Sequence, residues 1–123
     1  MKPILVVDDS ATILSSMKDM LMKAGQKVET ANSAEAALAF VRGQPPLTML
    51  ITDYHMPGRN GVELIAEIRK MAAYRFIPIL MLTTESQQDK RNEAKAAGAT
   101  GWLVKPVGAD KLTAIVKKLV PGG

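Results

Sequence analysis

The sequence predicts an α/β protein, a (βα)5 unit in which an open parallel five-stranded sheet carries helices on both faces. Three observations lead there. Short apolar runs alternate five times with amphipathic segments. The runs are too apolar for a sheet with one face in water, so both faces need cover. A chain of 123 residues is the size of one domain, with too few strands for an eight-stranded barrel.

Ile4-Leu5-Val6-Val7 is the first run, and residues 11–24 follow with Ile13, Leu14, Met17, Met20 and Leu21 on one helical stripe. Gly25 ends that helix. Residues 27–31, with β-branched Val28 and Thr30, read as a second strand, and Asn32 with Glu35 three residues on has the form of a capping box for a second helix ending near Gly43. Pro45-Pro46 breaks the chain before a third strand at 47–52, and 61–71 is helical with Val62, Leu64, Ile65, Ile68 and Met71 on its apolar face. Two further pairs follow, strands at 77–82 and 102–104 and helices at 87–97 and 108–119, the fourth helix being the least apolar.

Composition narrows the function. Apolar residues at 47% and charged residues at 23% describe a globular chain and exclude general disorder. No apolar stretch reaches the roughly 18 residues that span a bilayer, and Met1-Lys2-Pro3 leads into a strand and not a signal peptide, so a cytoplasmic protein without membrane contact is expected. The absence of cysteine excludes disulfides, thiolate catalysis and Cys-held zinc, and a single histidine excludes multi-His sites, so any metal must be held by oxygen. A net charge of +4 raises the possibility of nucleic acid. Lys18, Lys23, Arg69, Lys70, Lys90, Arg91, Lys95, Lys111, Lys117 and Lys118 are spaced as on solvated helix faces, which argues for no nucleic-acid partner.

In open parallel sheets the chemistry gathers beyond the carboxyl ends of the strands, where strand order reverses. The first strand ends in Asp8-Asp9, the third in Asp53 and the fourth in Thr83-Thr84, and Lys105-Pro106 follows the fifth. Singly each residue has an ordinary use: Asp9 as a helix N-cap, Asp53 in a turn, Thr83 bonded to a strand-end carbonyl, Lys105 in solvent, Trp102 filling core. Jointly they need a cation, because three converging carboxylates raise one another's pKa, and oxygen ligands at a solvent-facing site suit Mg²⁺ or Mn²⁺. An ammonium and a hydroxyl opposite would neutralise and hydrogen-bond phosphoryl oxygens, and Asp53 can act as nucleophile to give an aspartyl phosphate.

Asp8, Asp9, Asp53, Thr83, Lys105 and Pro106, with Met56-Pro57, Gly61 and Gly98-Ala99 between them, resemble response-regulator receiver domains of the single-domain chemotaxis (CheY) type. The resemblance, and not the periodicity, implies the flavodoxin-like strand order 2-1-3-4-5. It also implies that Asp53 accepts a phosphoryl group from a histidine kinase or a small phosphodonor, making the protein a phosphoacceptor in two-component signalling and not an enzyme beyond its own phosphorylation and dephosphorylation. Asp9 would contact Mg²⁺ directly, Asp8 through its waters, and the backbone carbonyl of His55 would be a further ligand. Lys105 and Thr83 would bind phosphoryl oxygens, the Lys105-Pro106 bond would be cis, and Thr83 and Trp102 would be the switch pair. Trp102 departs from the family's usual tyrosine or phenylalanine, and Thr84 from its usual small residue.

His55 and Glu85, two residues beyond Asp53 and Thr83, fall at positions that flank the path of the hydrolytic water. Imidazole titrates near physiological pH, so His55 is expected to make dephosphorylation depend on pH. Since Pro121-Gly122-Gly123 closes the chain just after the last helix, one receiver domain over 1–123 without an output domain is expected, a monomer acting through a partner protein. The resemblance points to a CheA-like kinase and to a target, such as the flagellar motor switch, that docks on helix 4, strand 5 and helix 5. There Gln88, Arg91, Lys95, Ala99, Trp102 and Lys111 read as a basic patch for a negatively charged peptide. Rival readings are a phosphorelay intermediate or phosphate sink, and an excised receiver of a DNA-binding regulator, against which uncharged Thr100-Gly101 argue. A flavin enzyme is disfavoured because no glycine-rich phosphate loop follows the first strand.

Overall fold

A computed structural model describes residues 2–84 and 88–120. Five parallel strands form one sheet in the order β2-β1-β3-β4-β5, with β1 at Ile4–Val7, β2 at Val28–Ala31, β3 at Met49–Asp53, β4 at Ile79–Thr83 and β5 at Gly101–Val104. The helices are α1 (Ala11–Lys23), α2 (Ala34–Val41), α3 (Gly61–Arg69), α4 (Gln88–Ala97) and α5 (Ala109–Leu119).

Alternate residues of the central strands feed two cores, as the two-residue period of a strand requires. Leu5, Val7, Leu50, Ile79 and Met81 face α2 and α3 through Ala34, Ala37, Val41, Leu64, Ile65 and Ile68, and Ala94 of α4 joins them. Ile4, Val6, Met49, Ile51, Leu80, Leu82 and Leu103 face α1 and α5 through Leu14, Met17, Leu21, Leu112 and Val116. Each fully buried Leu or Ile side chain contributes about 1.5–3 kcal/mol, and this double cover fixes the height of β1, β3 and β4 relative to one another.

Several expected boundaries shift. β2 is not apolar throughout: Glu29 and Thr30 are exposed because it is an edge strand. The N-cap of α2 is Ser33, whose hydroxyl accepts from Ala36 N at 3.0 Å, and not Asn32. The reciprocal capping box belongs to α3, where Asn60 accepts from Glu63 N at 2.9 Å and Glu63 from Asn60 N at 3.0 Å. Helix α1 is capped by Ser10 in place of Asp9, and Asp8 Oδ1 accepts from Ser10 N at 2.9 Å. Helix α3 ends at Arg69 and gives way to a 3-10 turn, Ala72–Tyr74, that the periodicity does not signal. At Gly25, φ is +88°, and the Gly25 N–H donates to Met22 O and the Gln26 N–H to Leu21 O, closing α1 as expected of a left-handed glycine.

Candidate functional site

Register brings the polar residues together. Val7 is paired with Thr52, so Asp8 stands beside Asp53, while Asp53 is paired with Leu82 and Thr83 with Val104, so Thr83 and Lys105 each stand one step further out. Backbone bonds extend the ladder past the strands: Asp8 N to Ala31 O at 3.1 Å, Tyr54 N to Leu82 O at 2.8 Å and Lys105 N to Thr83 O at 2.7 Å. The chain passes from β1 to β2 on one side and then to β3 on the other, and the strand order reverses between β1 and β3. The carboxylates occupy that crevice.

Ligand oxygens of Asp8, Asp9 and Asp53 all lie within 4.8 Å of one another, with Asp9 exposed and the other two buried. Lys105 Nζ reaches between them, 2.8 Å from Asp8 Oδ2 and 3.2 Å from Asp53 Oδ1. Burial and then the Asp8 charge push the Asp53 carboxyl above the ordinary aspartate value, against the pull of Lys105. Burial alone would lower the Lys105 pKa, but its hydrogen bond to Asp8 and the two carboxylate charges outweigh burial and raise it. A hard, partly open set of carboxylate oxygens with one internal ammonium fits a magnesium ion: the lysine already supplies part of the positive charge that the acids need.

Of the other expected residues, Thr83 is fully buried at the end of β4, Thr84 and His55 are exposed, and the Lys105-Pro106 peptide bond is cis. Glu85 lies outside the described residues. Trp102 is half-buried against the α4-side core, its indole N–H has no hydrogen-bond partner among the described residues, and the Arg91 guanidinium sits 5.7 Å from the ring centroid. It is therefore neither plain core filling nor free in solvent. Arg91, Lys95, Ala99 and Trp102 line a groove of about 330 Å³, whereas Lys111 lies exposed on α5 outside that lining and the Gln88 side chain is outside the described set.

Gly61 holds the loop after β3 against the site. A Cβ there would overlap the Asp53 carbonyl oxygen and lie 2.9 Å from Met81 Sδ.

Residues 4–117 match the family model described as "Response regulator receiver domain". The chain belongs to the response regulator receiver family. This receiver is 32% identical over 117 residues to the chemotaxis protein CheY of Pseudomonas aeruginosa, covering 94% of each chain. It is 33% identical to the protein PilH of the same organism, over 99% of this chain and 100% of the relative. Among solved structures it is similar to the chemotaxis response regulator CheY4 of Vibrio cholerae, with 40% identity, a TM-score of 0.91 and coverage of 98% and 99% of the two chains. The fold is the CheY-like receiver fold, and the family works in two-component signalling.

Two groups escape the sequence reading. Arg69 and Lys90 are not solvated helix cations. The Arg69 guanidinium donates to Gly98 O at 2.8 and 3.0 Å, to Tyr74 O at 2.8 Å and to Arg75 O at 3.1 Å, and burial lowers its pKa. Lys90 Nζ donates to the Tyr54 hydroxyl at 3.0 Å, and that hydroxyl donates to Glu93 Oε2 at 2.6 Å. The bonds from Arg69 to Gly98 and from Tyr54 to Lys90 and Glu93 join residues 29, 36 and 39 positions apart, and spacing alone carries no signal for them.

Proposed function

We propose that this receiver is a magnesium-dependent phosphoacceptor that takes a phosphoryl group from a CheA-like histidine kinase onto Asp53 and signals by phosphorylation-dependent protein binding in chemotaxis. The observation that carries the reading is the convergence of Asp8, Asp9, Asp53 and Lys105 at one sheet edge, within ion-pair and metal-ligand distances.

Asp53 attacks the phosphorus in line. A bond from its carboxylate oxygen to phosphorus forms as the phosphorus–nitrogen bond of the donor phosphohistidine breaks, and the electron pair leaves with the imidazole, which takes up a proton. Asp8, Asp9, Asp53 and the His55 carbonyl would hold Mg²⁺, which when bound neutralises charge on the acceptor and on the phosphoryl oxygens. Lys105 remains within reach of an oxygen added at Asp53, and Thr83 follows as hydrogen-bond donor to another. His55, exposed two residues beyond Asp53, tunes the water attack that later hydrolyses the acyl phosphate, and Glu85 is assigned to the same role by its position in the sequence alone. The added charge draws Thr83, Trp102 repacks, and the face formed by α4, β5 and α5 changes its affinity for a target such as the flagellar motor switch. The basic groove beside Trp102 supports a negatively charged target peptide. A cytoplasmic monomer suits these partners, and no helix among the described residues is long and apolar enough to cross a membrane.

Incubation with an acyl phosphate donor, followed by intact-mass measurement, tests the chemistry. One phosphoryl group should be added when Mg²⁺ is present and none to Asp53→Asn. Equal labelling of that variant, or labelling unaffected by chelation, would refute the assignment.

A further inference from the structure

Helix α4 has little apolar anchorage. Among its described side chains only Ala94 is buried, with Lys90 and Ala97 half-buried, and apart from Ala96 its exposed described side chains are polar. Polar contacts therefore set its position to an unusual degree. At the C-terminal end Arg69 grips Gly98 O, just past the last turn. Further toward the N-terminus of the helix, at Lys90 and Glu93, the anchor is Tyr54, the residue that follows the phosphoacceptor.

Tyr54 is well placed to transmit a change at Asp53. Its backbone is held on both sides, by Tyr54 N donating to Leu82 O at 2.8 Å and Gly61 N donating to Tyr54 O at 2.9 Å. The ring is buried, edge-on to His55 at 4.6 Å between centroids, and its hydroxyl emerges against α4. There it donates to Glu93 at 2.6 Å and accepts from Lys90 at 3.0 Å, and the Lys90 ammonium also lies 4.8 Å from the ring centroid. Hydrogen bonds to charged partners at these lengths are among the stronger ones a protein makes. They hold α4 to β3 while Lys105 still bridges Asp8 and Asp53, which is the arrangement without a phosphoryl group.

We propose that Tyr54 is a positioning residue, a hydroxyl clamp that fixes α4 in its resting place and must release before the face carrying Trp102 can change. The inference rests on the phosphoacceptor reading above and adds a second link from Asp53 to the output face, separate from Thr83 and Trp102. Tyr54 follows Asp53 directly, so a shift at the acceptor bears on Tyr54, and its hydroxyl bonds to Lys90 and Glu93 oppose displacement of α4. A contact made only in the resting state lowers the population of the competent state, and with it the apparent affinity of any ligand that selects that state.

Beryllofluoride, a phosphoryl analogue, titrated at saturating Mg²⁺ and read by the fluorescence of the sole tryptophan, measures this population. Tyr54→Phe keeps the ring and removes the hydroxyl. It should lower the half-saturating concentration about threefold to tenfold, as loss of one or two resting-state hydrogen bonds requires. Glu93→Ala should act in the same direction, and the double variant should go no further than Tyr54→Phe alone, because both remove one contact. Packing alone would leave Tyr54→Phe unchanged. In the unliganded protein, amide exchange in α4 should quicken in Tyr54→Phe. If the wild type fails to respond to beryllofluoride, the phosphoacceptor reading fails, and α4 exchange alone decides whether the clamp exists. A wild-type response with an unshifted Tyr54→Phe midpoint, or additive single variants, overturns the clamp.

Discussion

Lys105 is the residue on which the site's electrostatics turn. Its ammonium lies between Asp8 and Asp53 and occupies part of the charge that a divalent ion would supply. Lys105→Met should therefore strengthen Mg²⁺ binding about tenfold, or ~1.4 kcal/mol, in a calorimetric titration, while phosphorylation of Asp53 slows about 100-fold for want of a cation on the phosphoryl oxygens. Weaker Mg²⁺ binding in that variant would mean that the lysine organises the carboxylates instead of competing for them. Asp53 carries the opposite cost. Burial and Asp8 raise its pKa in the folded protein, so the folded state holds its proton more tightly than the unfolded chain does. The stability it contributes is complete below the unfolded aspartate value and is lost as pH rises through the raised folded value. Asp53→Asn should consequently melt at a higher temperature than wild type at pH 7 in magnesium-free buffer, with the difference shrinking toward pH 3, as calorimetric scans at the two pH values would register. These residues were legible in the sequence because each stands where an apolar run stops. Tyr54 was not, since its partners Lys90 and Glu93 lie on another element and its value depends on where α4 packs.

Elements hold these residues in place through close backbone approaches and capping. Gly61→Ala drives a methyl group into the Asp53 carbonyl and toward Met81, and since that carbonyl is backbone the clash cannot be relieved by a rotamer change. The variant should lose about 2–3 kcal/mol of stability in urea and bind Mg²⁺ more weakly, because the displaced strand end carries the acceptor. Arg69→Ala leaves the Gly98, Tyr74 and Arg75 carbonyls without their guanidinium partner and should cost about 2–3 kcal/mol, with the α4–β5 turn becoming the first region to lose amide protection. Periodicity found all five strands and five helices, since burial on both sheet faces forces long apolar patterns. It misplaced their ends where local polar chemistry decides: Ser33 outcompetes Asn32 as a cap, the reciprocal box lies at Asn60 and Glu63, and a 3-10 turn separates α3 from β4. β2 looked like the other strands in outline, yet an edge position leaves Glu29 and Thr30 in water.

Across the whole molecule, the site and the α4–β5 face are joined by β4 and by the contacts of α4, the helix with the thinnest apolar anchorage. Trp102 sits where these paths meet, with Arg91 over its ring and its indole N–H unpartnered among the described residues. An unsatisfied buried donor is a local cost that a second packing can relieve, which makes this tryptophan a sensitive reporter of the state of the site. Its fluorescence is unambiguous because the chain has no other tryptophan. The direct measurement is therefore Trp102 emission during titration with Mg²⁺ and then with beryllofluoride, on wild type and Asp53→Asn side by side. The phosphoacceptor account predicts a Mg²⁺-dependent change that beryllofluoride deepens in the wild type and that is abolished in the variant. No change with either addition, or an equal response in Asp53→Asn, would contradict it.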